Sequence, residues 1–455
     1  MLMLESLGDA EMRKNETKKG ILLFVSVFVW VSLWTGATAK ADELGDLKKQ
    51  LNEQRQKLQE LQEKLELFQS GQKQKEQFLT AKIEEVAEKT EKKELGVLPD
   101  SLKWLEKIKI SGDLRYRHDH TDMESQSAGR TRWLNGSDRD RIRARLMIEA
   151  MINADWDVAM RIASGSSRSP NSTNQDLEDA FSSKELWLDL AYFNWHPAAE
   201  KRLSVFGGKM KNPFYKTGKN ELIWDNDLNP EGIAAQYTMS LSDVDQLCMN
   251  GGGFWVDEST LDVDTSLWGA QAYWKHTIGN PDYILAGMSY YDYGNLKGRT
   301  ALSRTWSPAS LFFGNTSTGN VYRDDYDIFE AFGEYGFKCG ELPTALFGSW
   351  VQNIAASTNE DTGWLIGTKL NKAKEPGSWE FSYDYRELDA DAVVGGFIES
   401  DFLGSATDSR GHKFGFKYQL AKSLQTSLTY YHLEDTSSSR DLDYRRLMAD
   451  LVFKF

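Results

Sequence analysis

The chain has 455 residues, 15 Trp, 18 Tyr, 22 Phe and a formal net charge of -14 at pH 7. With no basic segment comparable to a phosphate-tracking stripe, that charge argues against nucleic-acid binding, and Cys248 and Cys339 are too few for a disulfide framework. A mean hydropathy of -0.54 would read as simply soluble if membrane proteins had to be helical, but a β-barrel needs only every second residue apolar and hides from such an average.

Met12, Arg13, Lys14, Lys18 and Lys19 precede an apolar run from Ile21 to Trp34 and a small-residue zone from Gly36 to Ala41. That order is the plan of a secretory signal peptide, with cleavage after Ala39 or Ala41 fitting equally well. The acidic stretch before Met12 fits no signal peptide, so the true start is expected at Met12 and residues 1–41 are read as leader and signal. An uncleaved membrane anchor is the alternative for this segment.

Residues 42–94 are rich in Glu, Lys and Gln around one apolar seam: Leu44, Leu47, Leu51, Leu58, Leu61, Leu65 and Phe68, with Gln54 in one core slot. Alternating three- and four-residue steps predict an α-helical coiled coil. The seam weakens after Gly71, where Gln72, Lys75 and Lys82 take core positions. A short linker, 95–106, follows, with Gly96 and Pro99 as helix breakers.

From Lys107 the period changes to 2 and stays there to Phe455. About sixteen strands are expected, near 108–118, 139–152, 155–163, 185–195, 203–211, 231–241, 247–257, 266–276, 282–293, 326–337, 343–353, 362–371, 377–387, 409–419, 423–433 and 444–455. Long and short connections alternate: 119–138, 164–184, 294–325 and 388–408 are long, while 153–154, 196–202 and 420–422 are short. Long loops on one side and tight turns on the other predict an all-β transmembrane barrel of about 16 antiparallel strands over residues 107–455, preceded by the coiled coil.

On the second strand Arg139, Arg141, Arg143 and Arg145 alternate with Ile142, Ala144, Leu146 and Ile148. An arginine facing the bilayer midplane costs roughly 2 to 4 kcal/mol, so the arginines are expected to face the lumen. Arg115 and Arg117, in phase with Lys109 on the first strand, and Arg446 on the last would extend the same basic wall. The alternative is a solvated wall of no special selectivity, since barrel lumens are charged by default.

The last strand places Leu447, Ala449, Leu451, Phe453 and Phe455 on one face and Arg446, Met448, Asp450 and Lys454 on the other. Ending on a free aromatic, it resembles the C-terminal strand by which Gram-negative outer-membrane barrels are recognised and closed. Phe453 and Phe455 are accordingly read as the closure signal.

Gly208 to Tyr215, containing Asn212-Pro213-Phe214, and the run Trp224-Asp225-Asn226-Asp227-Leu228-Asn229-Pro230-Glu231-Gly232 resemble the putative-porin family of Gram-negative outer-membrane proteins. A further similar segment is Gly395 to Phe402, with Thr407-Asp408 before the next strand. The resemblance covers roughly Lys107 to Phe455 and implies a channel for small hydrophilic molecules. The third long connection, with Phe214 and Trp224 as anchors and Asp225, Asp227 and Glu231 as charges, is suited to folding inward as a constriction opposite the basic wall. Asp225 and Asp227 could instead hold calcium, although the glycines and bidentate partner of a calcium loop are missing.

No cofactor or metal site is expected. His118 and His120 lack a third ligand at a recognisable spacing, and Ser164-Gly165-Ser166 precedes no helix, so a barrel-embedded enzyme is the weaker reading. A structural anchor tethering the envelope through its coiled coil is the other alternative. Expected partners are outer-membrane lipid, the barrel-assembly machinery, small hydrophilic solutes, two further copies in a homotrimer and, through the periplasmic coiled coil, peptidoglycan.

Overall fold

The computed structural model describes residues 100–455 apart from 128–129, 167–169, 259–262, 301, 303–311 and 438–441. The expected leader, signal peptide and coiled coil lie outside the described residues. A 3-10 helix, Asp100–Lys107, leads into the first strand.

Sixteen strands build the barrel: β1 Ile108–Ser127, β2 Arg130–Met151, β3 Trp156–Ser164, β4 Leu186–Trp195, β5 Leu203–Lys209, β6 Glu231–Ser240, β7 Asp245–Asp257, β8 Thr265–Thr277, β9 Tyr283–Gly294, β10 Tyr326–Cys339, β11 Leu342–Asn353, β12 Thr362–Asn371, β13 Trp379–Leu388, β14 Ser409–Ala421, β15 Leu424–Asp435 and β16 Leu442–Lys454. Each pairs antiparallel with its sequence neighbour, and β16 pairs with β1 from Asp113 opposite Lys454 to Ser125 opposite Leu442. Closure leaves no free sheet edge, which is what strands need in lipid, where an unpaired backbone amide finds no water.

The period-2 pattern sorts side chains as the lipid argument requires. Ile110, Leu114 and Tyr116 of β1, Leu146 of β2, Ile366 of β12, and Leu447 and Phe453 of β16 are exposed on the outside. Their alternates Arg117, Asp119, Arg446, Met448 and Asp450 are buried within. At the seam, Phe455 donates its N–H to the Gly112 carbonyl at 3.1 Å and accepts from the Gly112 N–H at 3.0 Å. A Cβ at Gly112 would stand 2.5 Å from the Phe455 ring, so glycine is what lets the terminal aromatic lie flat on β1.

Two expectations are corrected. Residues 119–138 are not a free loop: β1 and β2 run on as a protruding hairpin, paired to Ser127 opposite Arg130 with a register shift between Thr121 and Met123. Short ladders also lie within the long connections, Gln175–Asp176 against β2 and Ser317–Thr318 against Val321–Tyr322. Polar, Gly-containing sequence masked the first of these, because strand pairing above a membrane needs no apolar face.

The interior divides into two unlike halves. On the β7 to β12 side, much of the inward surface is apolar, including Phe254, Leu267, Tyr291, Tyr293, Ile328, Phe347 and Val351, whereas β13 turns Ser382 and Asp384 to the cavity. The long connections pack Met210, Phe214, Leu222, Trp224, Val393 and Ile398 against that apolar surface. On the other side, β1, β2 and β14 to β16 present charged and polar groups, and there space remains.

Candidate functional site in the lumen

The segment 210–230 leaves β5 and crosses the lumen. Asn212 accepts the Phe214 N–H at 3.0 Å, turning the chain inward at Pro213. Phe214 then lies over Gly269, where a Cβ would be 2.3 Å from its ring, and meets Tyr291 edge-on at 5.0 Å and Phe254 at 6.1 Å. Trp224 stacks on Phe214 and Phe397 at 6.5 Å each and meets Tyr291 edge-on at 5.3 Å. Both predicted anchors therefore hold the segment by aromatic packing.

The tip is fixed by polar contacts. Tyr215 donates its hydroxyl to Glu334 at 2.8 Å, and the Gly218 N–H reaches the same carboxylate at 2.9 Å. Gly218 has φ +56, and a side chain there would enter the Phe347 ring at 2.4 Å. Lys369 donates to the Gly218 carbonyl from the opposing wall.

Past the tip, Asp225 accepts the backbone N–H groups of Asp227 and Ser400, both at 2.7 Å. Asp227 accepts from the Thr173 hydroxyl at 2.8 Å and lies 3.1 Å from Arg145. Glu231 is a correction: it is the first residue of β6, outward like Ile233 and exposed, and pairs with Lys209 at 2.7 Å. Strand pairing with β5 captured it, so it is no part of the inward segment.

A second inserted segment, 389–408, was not foreseen as a lumen element. Asp401 lies 2.8 Å from Arg117 and 3.2 Å from Arg446. Glu399 is held by Lys413, by Arg386 at 3.1 Å and by the Tyr431 hydroxyl at 2.6 Å, while the Arg386 guanidinium lies 3.3 Å above the Phe402 ring. The Asn171 amide donates to the Gly396 and Ile398 carbonyls at 2.9 and 3.0 Å, tying a third connection to the second. The sequence signal was available in the alternation-free run Ala392-Val393-Val394 and in Phe402, apolar residues inside an otherwise acidic loop.

The seven predicted arginines point inward, but none acts alone. Arg117 also binds Asp450 at 2.6 Å, Arg446 binds Asp119, and Arg139 reaches Asp119 at 3.0 Å. Arg141 binds Asp176 at 2.6 Å, while Arg143 and Arg145 share Asp113 at 2.8 and 2.7 Å. Arg115 donates to Asn174 and lies 4.0 Å from Asp450. Lys109, in the same phase, pairs with Glu149 at 3.3 Å. The basic wall is thus largely a wall of ion pairs, built because most of the inward arginines are desolvated and need a carboxylate.

The inserted carboxylates respond to the same environment. Burial, then the charges of Glu221 and Asp227, push the Asp225 carboxyl well above the usual carboxylate range. Burial acts upward on Asp401 too, but Arg117, Arg446 and Arg141 outweigh it and hold that carboxyl well below the range.

Between wall and segments lies a cavity of about 320 Å3, lined by Arg115, Arg117, Arg143, the carboxylates from Glu221 to Asp227, and Lys369, Lys413 and Lys417. A second, of about 460 Å3, lies toward the short turns, beside Tyr283, Glu334, Lys374 and Glu380. Among the described residues no group of three or more His, Cys, Asp or Glu is arranged to hold a metal ion. The sequence did not foretell the histidine partners: His118 lies 3.0 Å from Asp140 and His120 2.7 Å from Asp138, whereas His412 meets the Tyr383 hydroxyl at 3.0 Å.

A family model described as Putative porin matches residues 132–325 and 330–455. Among solved structures, the high-pH form of Pseudomonas putida OprB is similar at 11% identity and a TM-score of 0.50, covering 78% of this chain and 96% of that one. Salmonella typhi OmpF in complex with daunomycin gives 12% identity and a TM-score of 0.45, covering 76% and 97%. A mutant of the Rh. blastica porin gives 13% and 0.42, covering 76% and 100%. A search of the curated proteins finds no match to this sequence.

Proposed function

The chain belongs to the putative porin family, a family of outer-membrane channels, and from that premise we propose that it passes small hydrophilic solutes and ions by passive diffusion, with residues 210–230 as its constriction. The observation that carries this reading is the charged cavity left between the arginine wall and the inserted segments, on the half of the lumen that the apolar packing does not fill. Water and small polar solutes are at home among such groups, whereas the apolar half excludes them. The basic wall positions both inserted segments as well as facing them, because Arg145 reaches Asp227 of the constriction and Arg117 reaches Asp401 of residues 389–408.

The test is conductance of the purified protein in planar bilayers, with liposome swelling by sugars of increasing size. Discrete channels and size-dependent swelling are expected. A protein that inserts as a heat-modifiable barrel yet neither conducts nor swells liposomes would leave it an envelope anchor. The reading extends to a homotrimer in a Gram-negative outer membrane, with residues 42–94 as a periplasmic coiled coil. Its support is the leucine seam, which needs partner helices, and closed symmetry among like barrels.

A further inference from the structure

The two cavities flanking the constriction segment share four lining residues: Gly218, Lys219, Lys369 and Lys417. A solute crossing from one chamber to the other passes these groups, and every charge among them is positive. Lys417 pairs with Glu380 at 2.6 Å. Lys369 donates only to the Gly218 carbonyl, with its ammonium 5.8 Å from the Phe347 ring centre. Lys219 sits exposed at the tip of the segment. Among the described residues, Lys219 and Lys369 have no carboxylate partner.

The contrast with the arginine wall decides where selectivity resides. Carboxylates at 2.6 to 2.8 Å pair with Arg117, Arg141, Arg143 and Arg145, and a close ion pair presents a passing solute with a dipole rather than a net charge. Lys219 and Lys369 at the join keep theirs, and Lys417 adds an ammonium shared with Glu380. Gly218 holds them together: its left-handed conformation and missing side chain let the tip press against Phe347, which sets Lys219 beside Lys369.

We propose that Lys219, Lys369 and Lys417 form an anion site at the join of the two chambers, which makes the channel prefer small carboxylate- or phosphate-bearing solutes over cations. Ammonium groups are point charges without the fork of a guanidinium, so they select by charge and not by the planar or tetrahedral shape of the anion. The inference rests on the channel reading above, and the experiment separates the two.

The full-length protein is reconstituted in planar bilayers and its chloride-to-potassium permeability ratio is read from the reversal potential under a KCl gradient. The wild type is expected above one. A like-charged constriction concentrates counter-ions by about tenfold at the low end of such focusing, so the K219Q/K369Q/K417Q triple variant loses on the order of tenfold in that ratio, with conductance retained. Lys219→Gln alone, at an exposed position, loses part of it. Replacing chloride on one side by phosphate or by succinate names the source, as the anion that passes more readily than potassium. Cation preference in the wild type, or an unchanged ratio in Lys219→Gln, overturns the proposal whether or not the triple variant assembles. Absence of any conductance in the wild type would instead remove the channel reading itself.

Discussion

Replacing Asp401 by Asn tests whether the arginine wall serves chiefly to pin the inserted segments. Asp401 sits between Arg117 at 2.8 Å and Arg446 at 3.2 Å, and its backbone carbonyl also accepts from Arg446 at 3.1 Å. Breaking a buried ion pair leaves an uncompensated charge and costs roughly 3 to 5 kcal/mol. Here Arg117 retains Asp450 at 2.6 Å and Arg446 retains Asp119, so the low end, about 3 kcal/mol, applies. The barrel ladder is untouched, and the cost falls on docking of residues 389–408 against their release. At about 1.4 kcal/mol per decade, that is a roughly 150-fold larger undocked population. Limited chymotrypsin digestion reads it directly, since Phe402 is fully buried when docked and cleavage follows the open fraction. Nicking at Phe397 and Phe402 should accelerate by up to that factor, with more frequent current fluctuations in single channels. Unchanged nicking and unchanged current noise would refute the claim that Asp401 is the pin.

Deleting Phe455 should lower the yield of heat-modifiable barrel, because it removes both backbone hydrogen bonds to Gly112 and the ring that Gly112 accommodates; a normal folded band on unheated gels would count against the closure role. For pH, Asp225 is the group to follow. Its carboxyl is raised by burial, Glu221 and Asp227, so on acidification it takes up a proton above the ordinary carboxylate value of 3.8, before its neighbour Asp227, which is held low. Losing that negative charge should increase anion preference as pH falls, and Asp225→Asn should show the acid behaviour at neutral pH; a pH-independent reversal potential would contradict this. Asp401, by contrast, stabilises docking in full above the ordinary carboxylate value of 3.8 and loses that effect progressively as pH falls from there through its depressed value, so the 389–408 segment should stay protease-resistant through mildly acid conditions. Cross-linking the full-length protein in mild detergent should yield trimers; a monomer throughout would exclude them, and trimers that survive removal of residues 42–94 would assign association to the barrel.

The barrel was legible because lipid imposes a strict rule on every strand. Arg139, Arg141, Arg143 and Arg145 cannot share a face with Ile142, Leu146 and Ile148 in a bilayer, and β2 obeys this from Arg139 to Ile148. The inward anchors Phe214 and Trp224 were legible for a related reason, since large aromatics in a polar connection must bury somewhere. Where no lipid rule applied, the reading failed: the β1–β2 hairpin runs on through largely polar sequence with no sustained alternation, which does not separate it from a loop.

Side-chain partnership was harder to see than side-chain direction. Alternation predicts that Arg117 and Arg446 point inward, but not that Asp401, 284 residues from Arg117, meets them there. Reading charge along a strand therefore finds the arginines without their carboxylate partners, and does not find the lysines. Lys219, Lys369 and Lys417 come from a loop and two separate strands and share no pattern in sequence; only the inward fold of residues 210–230 brings them to one opening. The same fold explains why half the lumen is apolar. Strands β7 to β12 carry Phe254, Leu267, Tyr291 and Ile328 inward because the inserted segments, not water, cover them. A strand whose two faces are both apolar would ordinarily point to a sheet buried on both sides. In this barrel one side is buried by lipid and the other, over much of β7 to β11, by the protein's own loops, and the two cavities open where charged groups such as Arg115, Glu334, Lys369 and Asp384 line the wall instead.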